Sequence, residues 1–281
     1  MHYGVTMFVT DQTVGPVALA RAVEERGLDS MFLPEHTHIP VSRRTPYPVT
    51  NGPLPEEYKR TIDPFVGLAA AAAVTTRIRV GTGVCLVAQR DPIVTAKEVA
   101  SLDLVSNGRF VFGVGTGWNE DEAEDHGIVF KKRRAIVRER LLVMNALWTK
   151  DEASFTGEHM KLPPSWAWPK PVQRPRPPIF FGGAATQKLF DLIAEVGDGW
   201  MPIGGAGVAA MMPELSNAFE RAGRDPKSAR VTIYAAVPDA KKLAYYRSLG
   251  VGDVVMQLPP AGSDVVLPLL DEFAAIVREV G

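Results

Sequence analysis

The sequence predicts a (β/α)8 barrel, on three observations. Eight strand-like segments alternate with eight helical ones within 281 residues, about the length typical of that fold. A central unit, residues 77–122, reads as strand, helix and strand, and such a βαβ unit requires a parallel sheet covered by helices. Glycines and polar residues gather at the strand ends, as Glu35-His36, Gly115-Thr116-Gly117 and Gly182-Gly183-Ala184. Bare backbone at the carboxyl ends of parallel strands is where α/β proteins bind ligands. A doubly wound open sheet is the rival, but it needs fewer units or a second domain. No linker-like shift in composition divides the chain, so one domain over 1–281 is expected.

The first strand is read at 3–9, and helix 14–26 is closed by Gly27. The second strand, 29–34, runs directly into Glu35-His36-Thr37-His38. A proline-rich loop, 39–58, holds Arg43, Arg44 and Tyr47, and loops of that length in compact domains are usually functional or mobile. Helix 63–76 carries Pro64 in its first turn. In the central unit, Val80, Val84, Leu86 and Val87 suit a buried strand at 78–87. Pro92 sits where a first helical turn does without an N–H, and Ile93, Ala96, Val99, Ala100 and Leu104 recur at helical spacing over 93–106. Asn107-Gly108 supplies a left-handed stop before the strand at 109–115.

Helix 129–149 has Ile136, Leu141, Met144, Leu147 and Trp148 on its apolar side. Residues 151–173 break the rhythm with proline and aromatic residues, Phe155, Trp166 and Trp168 among them, and are read as an insertion lying over the barrel. The remaining strands are placed at 178–181, 198–201, 230–236 and 254–258, with helices at 186–195, 208–222, 240–249 and 265–280.

Composition narrows the function. Hydrophobic residues make up 46% and charged ones 22%, which is ordinary for a globular chain and excludes disorder. Lys plus Arg (31) nearly balance Asp plus Glu (32), so neither nucleic acid nor a membrane surface is expected as a partner. The single cysteine, Cys85, permits no intrachain disulfide and no cysteine-rich zinc site. No signal peptide opens the chain and no apolar run reaches spanning length, so a cytoplasmic protein is expected.

Two glycine patterns fall on the strands of the central unit. Gly81-Thr82-Gly83 interrupts a buried strand, which marks a bulge or a close backbone approach. Gly113, Gly115 and Gly117 alternate at a strand's carboxyl end; small residues making room in a crowded barrel would give the same pattern. His36-Thr37-His38 resembles a pair of metal ligands. The remaining histidines, His2, His126 and His159, do not complete a ligand set at the other strand ends, so no metal is expected. Gly182-Gly183-Ala184 precedes a helix whose free N–H groups suit a phosphate, since glycine lets the ligand approach closely.

Several motifs in order resemble the luciferase-like monooxygenase superfamily. They are Leu33-Pro34-Glu35-His36-Thr37-His38, Gly81-Thr82-Gly83-Val84-Cys85-Leu86, Arg90-Asp91-Pro92 through Asp103, and Gly108-Arg109-Phe110 through Gly117-Trp118-Asn119. Pro169-Lys170-Pro171, Gly182-Gly183 and Gly197-Asp198-Gly199-Trp200 extend the match over nearly the whole chain. The pattern most resembles the branch that uses coenzyme F420, a deazaflavin, although the motifs separate F420 poorly from FMN. The resemblance implies a barrel with the cofactor tricycle in its mouth and a non-proline cis peptide at Gly83–Val84 against the ring. It implies a proton-transferring His36 with Glu35 orienting it or holding the ring's polar edge. It also implies a ring pocket lined by Gly115, Thr116, Gly117 and Trp118, and phosphate-binding backbone at Gly182, Gly183 and Ala184. Family members are often dimers, so a homodimer through the second and third helices is expected.

Trp118 is a departure, because sugar-phosphate dehydrogenases of this branch carry a glutamate there. A less polar substrate follows if Trp118, Trp166 and Trp168 line the pocket. The expected activity is hydride transfer between deazaflavin C5 and a small carbonyl compound or activated double bond. An FMN-dependent monooxygenase fed by a separate reductase is the runner-up, and a non-catalytic flavin-binding barrel is a third reading.

Overall fold

The computed structural model describes residues 1–48, 50 and 52–281. Eleven strands and nine α-helices follow one another in the described chain. β1 (His2–Thr6), α1 (Pro16–Glu25), β2 (Ser30–Leu33), α2 (Pro64–Ala73), β3 (Arg79–Thr82) and β4 (Cys85–Leu86) come first. Then follow α3 (Pro92–Val105), β5 (Phe110–Gly115), α4 (Glu120–Asp125) and α5 (Arg133–Thr149). An antiparallel hairpin of β6 (Ala153–Thr156) and β7 (Lys161–Ser165) precedes β8 (Ile179–Gly182), α6 (Gln187–Val196), β9 (Gly199–Met201) and α7 (Val208–Arg221). β10 (Arg230–Ala236), α8 (Ala240–Ser248), β11 (Asp253–Gln257) and α9 (Ser263–Val280) complete the chain.

The strands other than the hairpin form one parallel sheet in the order β3-β2-β1-β11-β10-β9-β8-β5-β4, closed by β3 pairing with β5. β3 and β4 are one stave broken at Gly83–Val84, so eight staves close the barrel. The eight predicted strands and eight predicted helices all occur, with ends shifted by a few residues. The predicted strand 78–87 is shorter, because its chain leaves the ladder at Gly83, resumes for Cys85 and Leu86, and then turns through Val87–Gln89.

Local chemistry sets the helix starts. Asp63 accepts from Val66 N–H at 3.0 Å ahead of Pro64, and Asp91 accepts from Ile93 and Val94 N–H at 2.9 Å ahead of Pro92. Each side chain satisfies donors that the first turn leaves unpaired. Asn107 (φ 54) and Gly108 (φ 76) end α3 in the left-handed region, as the sequence predicts.

Packing divides into two layers. Between barrel and helices lies the main core, where Phe110, Phe112 and Trp148 are fully or almost fully buried. Trp148 also donates its indole N–H to Ala96 O at 2.9 Å, which locks α5 onto α3. Inside the barrel, Phe32, Val111, Phe180, Met201, Tyr234 and Val255 form a separate plug. This plug makes the floor beneath the strand ends.

The 151–173 segment lies elsewhere than the sequence predicts. Glu139 of α5 accepts the N–H groups of Glu158, His159 and Met160 at 2.7–2.9 Å, fastening the hairpin along the outside of α5. Farther on, Lys170 caps the end of α5 through Leu147 O and Lys150 O. Gln173 binds Asp103 and Phe110 O, at the amino end of β5. The segment therefore runs down the flank of the barrel, away from its mouth. Trp166 and Trp168 are exposed there, at 80% and 58%, and neither lines the cavity at the strand ends.

Candidate active site

A cavity of about 450 Å³ opens above the barrel plug, at the carboxyl ends of the strands. Its size suits a small-molecule site. Glu35, His36, Gly83, Val84 and Trp118 all lie on its wall, bringing together residues from the ends of β2, β3 and β5. Tyr234 of β10 forms part of the floor and hydrogen-bonds Thr6 at 2.5 Å. Burial pushes the Tyr234 phenol well above its usual range, so it stays neutral. A Cβ on Gly83 would meet the Tyr234 ring at 2.4 Å, which is why glycine is required at this break in the stave. The Gly83–Val84 peptide is cis, as the resemblance implies.

His36 emerges from β2 with its side chain only 7% exposed. Its Nδ1 lies 2.8 Å from Glu122 Oε2 and 3.0 Å from Oε1. Glu122 is fully buried on α4, and its carboxylate oxygens are placed to accept a proton carried on Nδ1. That leaves Nε2 as the ring's other working atom, and it makes no hydrogen bond among the described residues. The rings of Tyr58 at 5.2 Å and Trp118 at 5.8 Å hold the imidazole plane. This buried carboxylate–histidine pair fixes tautomer and orientation together.

Glu35 does something different from what the sequence predicts. Its carboxylate accepts from Leu86 N–H at 2.6 Å and from Arg90 Nε at 2.5 Å. Arg90 also pairs with Asp63 and Glu98. Glu35 thus ties the end of β2 to β4 and the turn beyond it. Orienting His36 falls to Glu122 instead. His38 turns away from the cavity to Asp125 at 3.0 Å, and Thr37 bonds His126 at 2.8 Å, so the His36-Thr37-His38 run does not converge. Among the described residues no cluster of three or more His, Cys, Asp or Glu has metal-binding geometry.

Of the glycines expected in the ring pocket, Gly115 and Gly117 are not on its wall, and neither is Thr116. Gly115 stands behind it: a Cβ there would approach Val84 Cγ2 to 2.5 Å. Its absence lets Val84 settle against β5 and present itself to the cavity. Gly182 backs Val84 from the β8 side in the same way. Gly183 and Ala184 line a second cavity of about 380 Å³, beside the start of α6. Ile203 belongs to both walls, so the two cavities are neighbours on the barrel mouth.

The roof comes from the long loop after β2. Arg44 pairs with Asp121 at 2.8 Å and with Glu124, and Thr45 Oγ1 accepts from Glu120 N–H at 3.1 Å. These bonds lay the loop on α4 and bring Tyr47 to Tyr58 and Trp118, with ring centroids 5.3 and 6.4 Å away. The predicted loop residues Arg44 and Tyr47 are therefore part of the site, as clamp and wall.

Known proteins share this architecture. The family described as luciferase-like monooxygenase matches residues 14–242. An uncharacterized protein of Mycobacterium tuberculosis is 44% identical over 279 residues, 98% of either chain. An F420-dependent hydroxymycolic acid dehydrogenase of the same organism is 28% identical over 243 residues, 84% of this chain and 62% of that protein. Among solved structures, an F420-dependent secondary alcohol dehydrogenase in complex with an F420–acetone adduct superposes with TM-score 0.77 at 18% identity, over all of both chains. The oxygenating constituent of 3,6-diketocamphane monooxygenase from Pseudomonas putida, a type II Baeyer–Villiger enzyme in complex with FMN, has TM-score 0.64 at 18% identity. That likeness covers 88% of this chain and 70% of that one. The two structures speak for the fold, in which both cofactors occur. With the barrel, the strand-end cavity and a match over most of its length, the chain belongs to the luciferase-like monooxygenase family.

Proposed function

We propose that the protein is an F420-dependent oxidoreductase that moves a hydride between the deazaflavin C5 and a small organic substrate, a carbonyl compound or activated double bond. The observation that carries the reading is the His36–Glu122 pair on the wall of a mainly apolar cavity. A hydride added to a carbonyl must be matched by a proton, and this pair can deliver one. The 28%-identical F420-dependent relative supports a deazaflavin as cofactor.

The residues fit the cofactor. The larger cavity, floored by Tyr234 and walled by Val84, accepts a flat ring system. Its neighbour, formed by small residues at Gly183, Ala184, Ala185 and Ala206 beside the N-terminus of α6, suits an anionic tail. F420, when bound, supplies the hydride carrier. His36 holds or accepts the proton at Nε2, while Glu122 keeps Nδ1–H fixed and stabilises the charged ring. Tyr47, Tyr58 and Trp118 exclude water from the reacting face, and Glu35 with Arg90 keeps the β2 and β4 ends in register.

Reduced F420 mixed with the protein and a panel of ketones, aldehydes and enones should be oxidised only when substrate is present, without oxygen uptake. Oxygen consumption in step with oxidation of reduced FMN would favour the monooxygenase reading instead.

We also infer a homodimer through the outer faces of α2 and α3. Val66, Ile93, Val94, Leu104 and Val105 are exposed there, and α2 adds outward alanines. The single lysine in the stripe, Lys97, spends its amine on Trp168 O. Such a face offers no charge pattern to a dissimilar partner, whereas two-fold symmetry lets one apolar stripe cover itself.

A further inference from the structure

Glu57 lies in the short helical turn Glu56–Lys59 and lines the main cavity with Phe8, Tyr47, Tyr58 and Trp118. The other acidic groups nearby are matched: Glu35 by Arg90 and Leu86 N–H, and Glu122 by His36. Glu56, next in sequence, pairs with Lys59 at 2.7 Å and Arg60 at 3.6 Å. Glu57 has no ion-pair partner among the described residues, and no lysine or arginine among them lines the cavity. Its charge reaches into the aromatic wall. The Tyr58 phenol is driven well above its ordinary range by burial first, then by Tyr47, and further by the Glu57 carboxylate.

We propose that Glu57 makes this a cavity for uncharged substrates, namely small lipophilic ketones, aldehydes or secondary alcohols, and that it turns away carboxylated or phosphorylated ones. The proposal rests on the hydride-transfer reading for the kind of substrate, but its electrostatics stand on the wall alone. A neutral lipophilic molecule gains by burying apolar surface against four aromatic rings. An anionic one loses its hydration, finds no cation, and meets a carboxylate in a partly desolvated space. Glu57 lines the main cavity and not the small-residue cavity at Gly183 and Ala184, to which the proposed function assigns the anionic cofactor tail.

The test compares cyclohexanone with 4-oxocyclohexanecarboxylate, using the full-length protein loaded with reduced F420. Wild type should prefer the ketone in kcat/KM by at least about tenfold, and Glu57→Gln should cut that preference by about tenfold. Glu57→Asp should keep it. Equal use of the two compounds by wild type, or an unchanged preference in Glu57→Gln, would overturn the proposal. Should neither compound turn over, calorimetric binding decides. Tighter binding of the ketone, lost in Glu57→Gln, upholds the proposal and leaves only the hydride-transfer reading refuted. Equal binding, or none, overturns it.

Discussion

Glu122 Oε2 sits 2.8 Å from His36 Nδ1 although 86 residues separate them, and the carboxylate is fully buried. A buried carboxylate held on a single imidazole nitrogen leaves the other nitrogen with a defined role. In the proposed reaction His36 acts on substrate, and Glu122 acts through His36.

Replacing His36 with Asn keeps a hydrogen-bonding group but removes a titratable one. Turnover should fall by roughly 10²–10⁴-fold, the usual loss for a general acid or base, with F420 affinity little changed. Stopped-flow rates and a fluorescence titration on the same variant check this together. Wild-type turnover would make His36 structural.

Glu122→Gln should lower turnover by about 10–10²-fold, while the F420 dissociation constant stays near wild type. Glu122→Asp should recover part of the rate if its carboxylate reaches Nδ1. A loss of stability that fully explains the lost rate would reduce Glu122 to a packing residue.

Glu35→Ala should behave differently. It leaves Leu86 N–H unpaired and takes one of three carboxylates from Arg90. The expected cost is about 1–3 kcal/mol in urea unfolding, with the pH dependence of the surviving activity unaltered. A changed pH profile at full stability would return Glu35 to the proton-transfer chemistry.

Acid should release the flank hairpin. Burial works to raise the Glu139 carboxyl, but the N–H groups of His159, Glu158 and Met160 outweigh it and hold it below the ordinary range. A depressed folded value stabilises above the unfolded value of about 4.3 and is lost as pH falls through the folded value. Amide exchange in β6 and β7 should therefore quicken below about pH 4 in wild type, and already at neutral pH in Glu139→Gln. Unchanged protection in Glu139→Gln would show that packing alone holds the hairpin.

Leu104→Glu with Val105→Glu should convert a dimer to a monomer in light scattering while leaving the far-UV spectrum intact. A wild-type monomer at micromolar concentration would refute the assembly.

Much of the barrel was legible because strands and helices announce themselves locally. Asp91-Pro92 and Asn107-Gly108 punctuate α3 by their own chemistry, and Val80, Phe110 and Val254 are β-branched or aromatic residues of the kind enriched in strands. His36 and Trp118 were legible as residues at strand ends. Glu122 was not, since α4 is a run of acids without apolar periodicity and reads as a solvated stretch. Its signal was present in Asn119 followed by Glu120, Asp121 and Glu122, an N-cap residue and an acidic first turn. Of the two roles expected of Glu35, orienting His36 goes to Glu122. Both residues follow the end of β2 and reach the cavity wall, and the partners that separate them, Arg90 and Leu86 N–H for Glu35 and Glu122 for His36, lie more than fifty residues away. The course of residues 151–173 depends on Glu139, Lys170 and Gln173 finding distant backbone partners, which no local pattern reveals.

The central claim is a deazaflavin site, and a paired titration tests it most directly. Purified protein is titrated with F420 and with FMN under identical conditions, following cofactor fluorescence. F420 should bind at least about tenfold more tightly, a difference of about 1.4 kcal/mol. Equal or tighter binding of FMN would contradict the assignment and leave the barrel serving the monooxygenase reading.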